Sequence, residues 1–212
     1  MKPLSLFERA LWGILSLVIC GVIVLWVWKT YKKTETNEAN GVSLRIPLSD
    51  FSLMNHYGEK VTRNDLLGKI VVADFIFTSC AGACPIMTTK MIELSTMFKY
   101  EREIRFVSFS VDPETDSPEV LKQYAKNFGI RDSVQWIFLT GEKKEITSLV
   151  KNDFKLALLD SGGTEEETII HSQHFVLLNE RAEIVGYFDS EDEQKMRELY
   201  FKIRNILQQN KQ

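Results

Sequence analysis

Cysteine and histidine are scarce in this 212-residue chain, with three of each. So few thiols exclude a disulfide-stapled scaffold and make those that occur candidates for chemistry. There is no internal repeat. Basic runs and aromatic-basic interleaving are also missing. Residues 1–34 carry five Lys/Arg against one Glu, a net of +4, and the whole chain is at −3, which leaves −7 for the remainder. An acidic body of this kind is a poor nucleic-acid binder, and no nucleic-acid partner is expected.

Long apolar runs are limited to one near the start. Leu11 to Trp28 is eighteen residues without a charge. As a helix it would extend about 27 Å, near the lower end of what crosses a bilayer. Trp12 lies at one end and Trp26 and Trp28 at the other, where interfacial aromatics belong. The pattern predicts a short segment 1–10, a transmembrane anchor 11–28 with the lipid bilayer as partner, a tether 29–44 and a domain 45–212. A buried core helix is the alternative, disfavoured by Lys2 and Arg9 before the run and Lys29, Lys32 and Lys33 after it. No small-x-small cleavage site follows, so the run reads as retained. Cys20, preceded by Ile19 and followed by apolar sequence, reads as a buried inert thiol. The lysine counts do not fix an orientation.

Beyond the tether, Ile46 to Met54 alternates, and His56 to Lys60 reads as a turn before Val61, which suggests a small hairpin. Ile70–Phe77 is nearly continuous in apolar character, as a central strand buried on both faces would be. From Pro85 the period becomes helical, with Met87, Met91, Leu94 and Phe98 on one side. Ile104–Val111 is a strand. Asp116 or Ser117 then caps a helix running to Phe128, with Gly129 as its stop. Val134–Leu139 is a strand, and residues 142–150 a charged helix. Ser161 to Glu167 reads as a polar excursion. Phe175–Leu178 and Ile184–Tyr187 pair around Asn179–Ala182, and Glu191 to Leu207 is a closing amphipathic helix.

This order describes an α/β protein with a mixed central sheet. Cys80 and Cys84 stand where the first long strand passes into its helix, which points to a thioredoxin-like fold preceded by one N-terminal transmembrane helix. A flavodoxin-like fold is the alternative, but it gives no reason for the late hairpin, and no phosphate-cradling glycine loop follows the strand.

A helix N-terminus stabilises thiolate at either cysteine, which favours both nucleophilic attack and metal ligation. Three residues separate the pair, one more than in the usual thioredoxin-like redox motif. The ordinary alternative is two unrelated core cysteines. Thiolates favour Cu(I) or zinc, and one imidazole would complete a Cys2His set. His56 reads as a surface residue in the hairpin turn. His171 and His174 stand where a loop enters a strand, and spacing alone does not choose between them. Asp74 is an acid in an apolar strand, where burial would raise its pKa. It either tunes the thiols or satisfies a neighbouring backbone group. Asp112 follows a strand end, as a turn cap or as a neighbour of the thiols. Met87 is explained by the apolar face of its helix.

Two segments carry a specific resemblance: Ala73-Asp-Phe-Ile-Phe-Thr-Ser-Cys80 through Cys84-Pro-Ile-Met87, and Val107–Pro118 followed by Tyr124–Gly129. Over about residues 45–207 the chain resembles the Sco/SenC family. These are membrane-tethered thioredoxin-like proteins that bind copper and assist assembly of the dinuclear copper A centre of cytochrome c oxidase. The resemblance implies that Cys80, Cys84 and His171, in Ile170-His-Ser172, hold a copper ion as Cu(I) or Cu(II), with His174 outside the motif. It makes Cys80 and Cys84 a redox pair as well. The implied partners are the oxidase subunit bearing copper A and a thiol reductant protein. The implied location is the bacterial cytoplasmic membrane, single-pass, with the domain on the outer side, periplasmic or extracellular. The alternative activity is that of a membrane-tethered thiol–disulfide oxidoreductase, with Cys80 as nucleophile and Cys84 as resolver.

Overall fold

Seven consecutive residues, Ile70–Ile76, are buried at every position. A strand so enclosed needs cover on both faces, and the remaining elements supply it. The computed structural model describes Trp12 and residues 19–22, 45–130, 135–156 and 172–210. By its internal contacts the chain divides into two units, Met1–Ser43 and Leu44–Gln212.

In the second unit the order is β1 (Ile46–Pro47), β2 (Ser52–Asn55), β3 (Lys60–Thr62), β4 (Ile70–Ile76), α1 (Ala83–Met97), β5 (Ile104–Ser110) and α2 (Pro118–Asn127). There follow β6 (Trp136–Thr140), α3 (Lys143–Ser148), β7 (His174–Leu178), β8 (Glu183–Asp189) and α4 (Glu193–Gln209). The strands form one sheet in the order β1-β8-β7-β4-β5-β6-β2-β3. β4, β5 and β6 run parallel, from Ile70 opposite Ile104 to Ile76 opposite Ser110 and from Phe106 opposite Trp136 onward. β7 joins the other side of β4 antiparallel, Val71 opposite Leu178. A βαβ unit beside a hairpin-plus-helix unit, with β4 central, is the thioredoxin-like arrangement expected from the sequence.

Alternation along the strands divides the core in two. Val71, Ala73 and Phe75 join Phe51, Phe109, Ile146, Val150 and Phe154 on one face. Ile70, Val72 and Ile76 join Cys84, Met87, Met91, Phe138, Leu199 and Ile203 on the other, under α1, α2 and α4. Burying each large side chain contributes roughly 1.5–3 kcal/mol. α2 ends as its sequence suggests: Gly129 has φ 69, and the Ile130 N–H reaches the Ala125 carbonyl at 3.0 Å. Only glycine enters that left-handed region without strain. The 142–150 helix is shorter than expected and passes into a π-turn at Leu149–Asp153.

Several expectations are corrected. The transmembrane helix at 11–28 is not supported: among the described residues no helix is long and apolar enough to cross a membrane. Its described part is Trp12 and the four helical residues Ile19–Val22. The lipid-bilayer partner and the single-pass location at the cytoplasmic membrane fall with it. The rest of 11–28 lies outside the described residues, as does the polar excursion at 161–167. Cys20 is exposed, not buried.

His56 is 4% exposed, not a surface residue. Its Nδ1 accepts the Phe138 N–H at 3.2 Å, and its own N–H donates to the Phe138 carbonyl, which fastens the β2–β3 turn to β6.

Met91 lies fully buried under α1. Met91→Ala should lower unfolding free energy by about 2–5 kcal/mol. A urea titration should show the midpoint falling with the slope unchanged.

Candidate functional site

The loop Phe77–Gly82 leaves the C-terminal end of β4 and turns into α1. The Cys80 N–H bonds the Phe77 carbonyl at 3.1 Å, which closes the turn on itself. α1 begins at Ala83 with Gly82 as its N-cap and no side chain bonded to the cap. Its first amides therefore lack the usual partner. Pro85 falls within the first turn, where its missing N–H removes no helical bond.

Cys80 lies in the turn just before this uncapped start. Both thiols are free, with Cys80 half-buried and Cys84 buried. Burial opposes ionisation of Cys80. Against it, the surrounding polar groups, the Cys84 N–H and thiol first and the Gly82 and Ala83 N–H groups after them, favour the thiolate and hold the thiol below its ordinary value. Cys84 behaves oppositely. Burial pushes its thiol up, and the Cys80 sulfur and Asp74 carboxylate reinforce the rise despite an opposing bond from the Phe77 backbone. The loop thus presents one reachable, acidic thiol backed by one protected thiol.

Asp74 lies on β4 in alternation with Val72 and Ile76, whose face packs against Cys84. It is completely buried, and burial lifts its carboxyl to about 7. The Ser108 hydroxyl, opposite it on β5, favours the ionised form without reaching hydrogen-bond geometry. Among the described residues neither carboxylate oxygen has a hydrogen-bond partner. The expected rise in pKa is present, but the expected satisfying partner is absent. Close by, the Thr88 hydroxyl and Tyr124 OH pair at 2.8 Å. Burial, with Asp74 and the two cysteines adding to it, raises the Tyr124 phenol.

Asp112 contributes mainly through its backbone. Its carbonyl accepts the N–H groups of Thr115 and Asp116, and its own N–H donates to Ser110 Oγ at 3.1 Å. Ser117, not Asp116, is the N-cap of α2, with its Oγ accepting the Val120 N–H at 3.4 Å. Asp116 instead reaches the cysteine loop. Both its oxygens accept the Thr78 N–H, at 3.2 and 3.3 Å, and one also accepts the Thr78 hydroxyl. Asp-x-x-x-Asp-Ser-Pro looks like helix capping in one dimension, and nothing local in it signals a contact with Thr78.

β7 runs antiparallel to β4, so its N-terminal end enters beside the end of β4 from which the cysteine loop departs. Ser172 is buried there, with its Oγ at 3.4 Å from His174 Nδ1. His174 alternates with Phe175 and therefore shares the face of Val176 and Leu178, away from α1. His171 lies outside the described residues. Among those that are described, no three His, Cys, Asp or Glu side chains gather as a metal site. Cys80 and Cys84 are neighbours and Asp74 is near enough to raise the Cys84 thiol, while Asp112 stays in its turn.

The SCO1/SenC family model matches residues 45–208. The chain belongs to the SCO1/SenC family. It is 37% identical over 137 residues to the SCO1 protein homolog of Bacillus subtilis (strain 168), covering 64% of this chain and 69% of that one. BsSco, solved in a study of a disulfide switch and described as a member of the Sco family of cytochrome c oxidase assembly proteins, matches with 30% identity. Its TM-score is 0.66, over 77% of this chain and 95% of that one. Arabidopsis thaliana ScoI, solved with copper bound, matches at 26% identity and TM-score 0.59, over 74% and 98% of the two chains. Copper binding therefore occurs within this SCO1/SenC family.

Two outcomes follow from the site. Limiting iodoacetamide at neutral pH should label Cys80 at least about tenfold faster than Cys84, because thiolate and access both favour it. Mass spectrometry of the cysteine peptides measures this, and equal labelling would contradict the asymmetry. For Asp74, the folded-state pKa lies above the ordinary value of 3.8. The folded state then holds its proton where the unfolded chain has lost it. The stability from the neutral carboxyl is full below about pH 4 and is withdrawn as pH rises through about 7. Asp74→Asn should match the native protein near pH 4, exceed its stability at pH 8, and flatten the decline between in urea midpoints.

Proposed function

We propose that this SCO1/SenC protein carries one copper ion on Cys80, Cys84 and His171, and delivers it to, or maintains the thiols of, the copper A centre of cytochrome c oxidase during assembly. The observation that supports this most directly is the pair of reduced thiols at the mouth of α1, one half-exposed and one buried. The copper-bound Arabidopsis relative and the oxidase-assembly family of BsSco support the cargo and the target. Placement of His174 on the opposite face favours His171 as the third ligand.

Copper is cargo in this reading. Thiols lose their protons on binding a metal. The amides around Cys80 already favour its thiolate, so it makes the first bond to the ion. Cys84 gives up its proton only when the metal's positive charge arrives beside it. The imidazole of His171 then completes a three-ligand site, and soft thiolates with one imidazole suit copper in either oxidation state. Transfer to a partner proceeds by stepwise exchange, with the exposed Cys80 as the ligand a partner's donor can approach. Oxidation of the two thiols to a disulfide releases two protons and two electrons and removes both sulfur ligands, so thiol state controls loading.

Thiol–disulfide exchange is the second reading, favoured by the same asymmetry: Cys80 as attacking thiolate, Cys84 as protected resolver. His171→Ala separates the two. It should leave disulfide reduction largely intact while greatly weakening Cu(II) retention. Titration of the fully reduced, anaerobic protein should give one copper per chain, lost in Cys80→Ser and Cys84→Ser. No copper above a non-specific level on the native protein would overturn the copper reading in favour of exchange.

A further inference from the structure

Asp116 is fully buried, and among the described residues its carboxyl is bonded by uncharged donors. Besides the Thr78 N–H and hydroxyl, its Oδ2 accepts the Ser110 hydroxyl at 2.6 Å. A buried carboxylate without a cation is costly unless its hydrogen bonds are complete. Here both oxygens are used, and they join two chain segments 38 residues apart. On one side is the turn after β5, itself locked by the Asp116 N–H to the Asp112 carbonyl at 2.9 Å. On the other is Thr78, two residues before Cys80. Helix capping does not account for this, since Ser117 caps α2.

The geometry continues to the sulfur. Ile76 is the last residue of β4, and its carbonyl accepts the Val111 N–H at 2.8 Å, so the two strand ends are in register. Asp116 extends that tie one step beyond the sheet. The Cys80 N–H is in turn bonded back to Phe77, adjacent to the clamped residue. From Asp116 to the Cys80 backbone, the chain is held by an unbroken set of bonds.

We propose that Asp116 is a positioning residue for the cysteine pair: by fixing Thr78 it holds the turn that carries Cys80 at the uncapped start of α1, and so sets the thiol–disulfide equilibrium of the loop. The inference rests on the reading of Cys80 and Cys84 as a working pair. A helix start with no side-chain cap favours thiolate over disulfide, so loosening the clamp makes the disulfide harder to reduce.

The test is the equilibrium of the oxidised protein with dithiothreitol. The Cys80–Cys84 bond breaks, two protein thiols form, and dithiothreitol closes to its cyclic disulfide, so two electrons and two protons pass to the protein. Asp116→Ala should lower the exchange constant about tenfold, or about 30 mV toward more negative potential. Thr78→Val, which removes only the hydroxyl arm, should move it less and in the same direction. Asp116→Asn, retaining an acceptor, should recover part of the loss. Met91→Ala should lower stability without moving the equilibrium. If Asp116→Ala does not fold, Thr78→Val and Asp116→Asn decide the matter. Native exchange constants in both would overturn the proposal, as would a shift in Met91→Ala equal to theirs. No metal enters the measurement, so failure of copper binding leaves its outcome intact.

Discussion

The site depends on one constraint: a helix that begins without a capping oxygen, with the Cys80 sulfur in the turn just before it. Gly82 supplies no side chain, and the polar groups around Cys80 favour its thiolate. Everything below serves to keep that sulfur in place. β4 is buried at each position and braced by β5 on one side and β7 on the other, so the loop departs from the stiffest part of the sheet. The same enclosure that stiffens the loop desolvates Cys84 and Asp74, and it is why neighbouring groups a few residues apart differ so much in acidity.

The protein spends its polar groups unevenly across this region. Asp116 is surrounded by donors on both oxygens, whereas Asp74, equally buried, has none among the described residues. The first is a carboxyl whose hydrogen bonds bind two loops together. The second is a carboxyl held near neutrality by its surroundings, and its ionisation is therefore tied to events at Cys84. One acid is a mechanical element and the other an electrostatic one, though Asp74 lies within β4 and Asp116 in the turn after its parallel neighbour β5.

Much of this was legible in the sequence because the relevant signals are local. The apolar run 70–77, the helical period after Pro85 and the glycine at 129 each announce an element within a few residues. The cysteine pair was legible for the same reason, and so was the burial of Asp74. What escaped was nonlocal. His56 looked like a turn residue because the backbone of β6 that binds it lies 82 positions away. Asp116 looked like a cap because its hydroxyl and amide partners at Thr78 belong to a different loop. The apolar stretch at 11–28 met the composition of a bilayer span, but among the described residues no helix is long and apolar enough to cross a membrane.

The outermost strands carry a consequence for how such a protein meets others. β1 has two residues, one of them Pro47, and β3 has three, beginning with Lys60. Short edges bearing a proline or a lysine offer almost no ladder for a foreign strand to extend. On the proposed role, in which the thiol pair meets another polypeptide, such edges keep the protein from zipping onto its partner through its backbone. Its encounters are left to the cysteine pole, where they can be released.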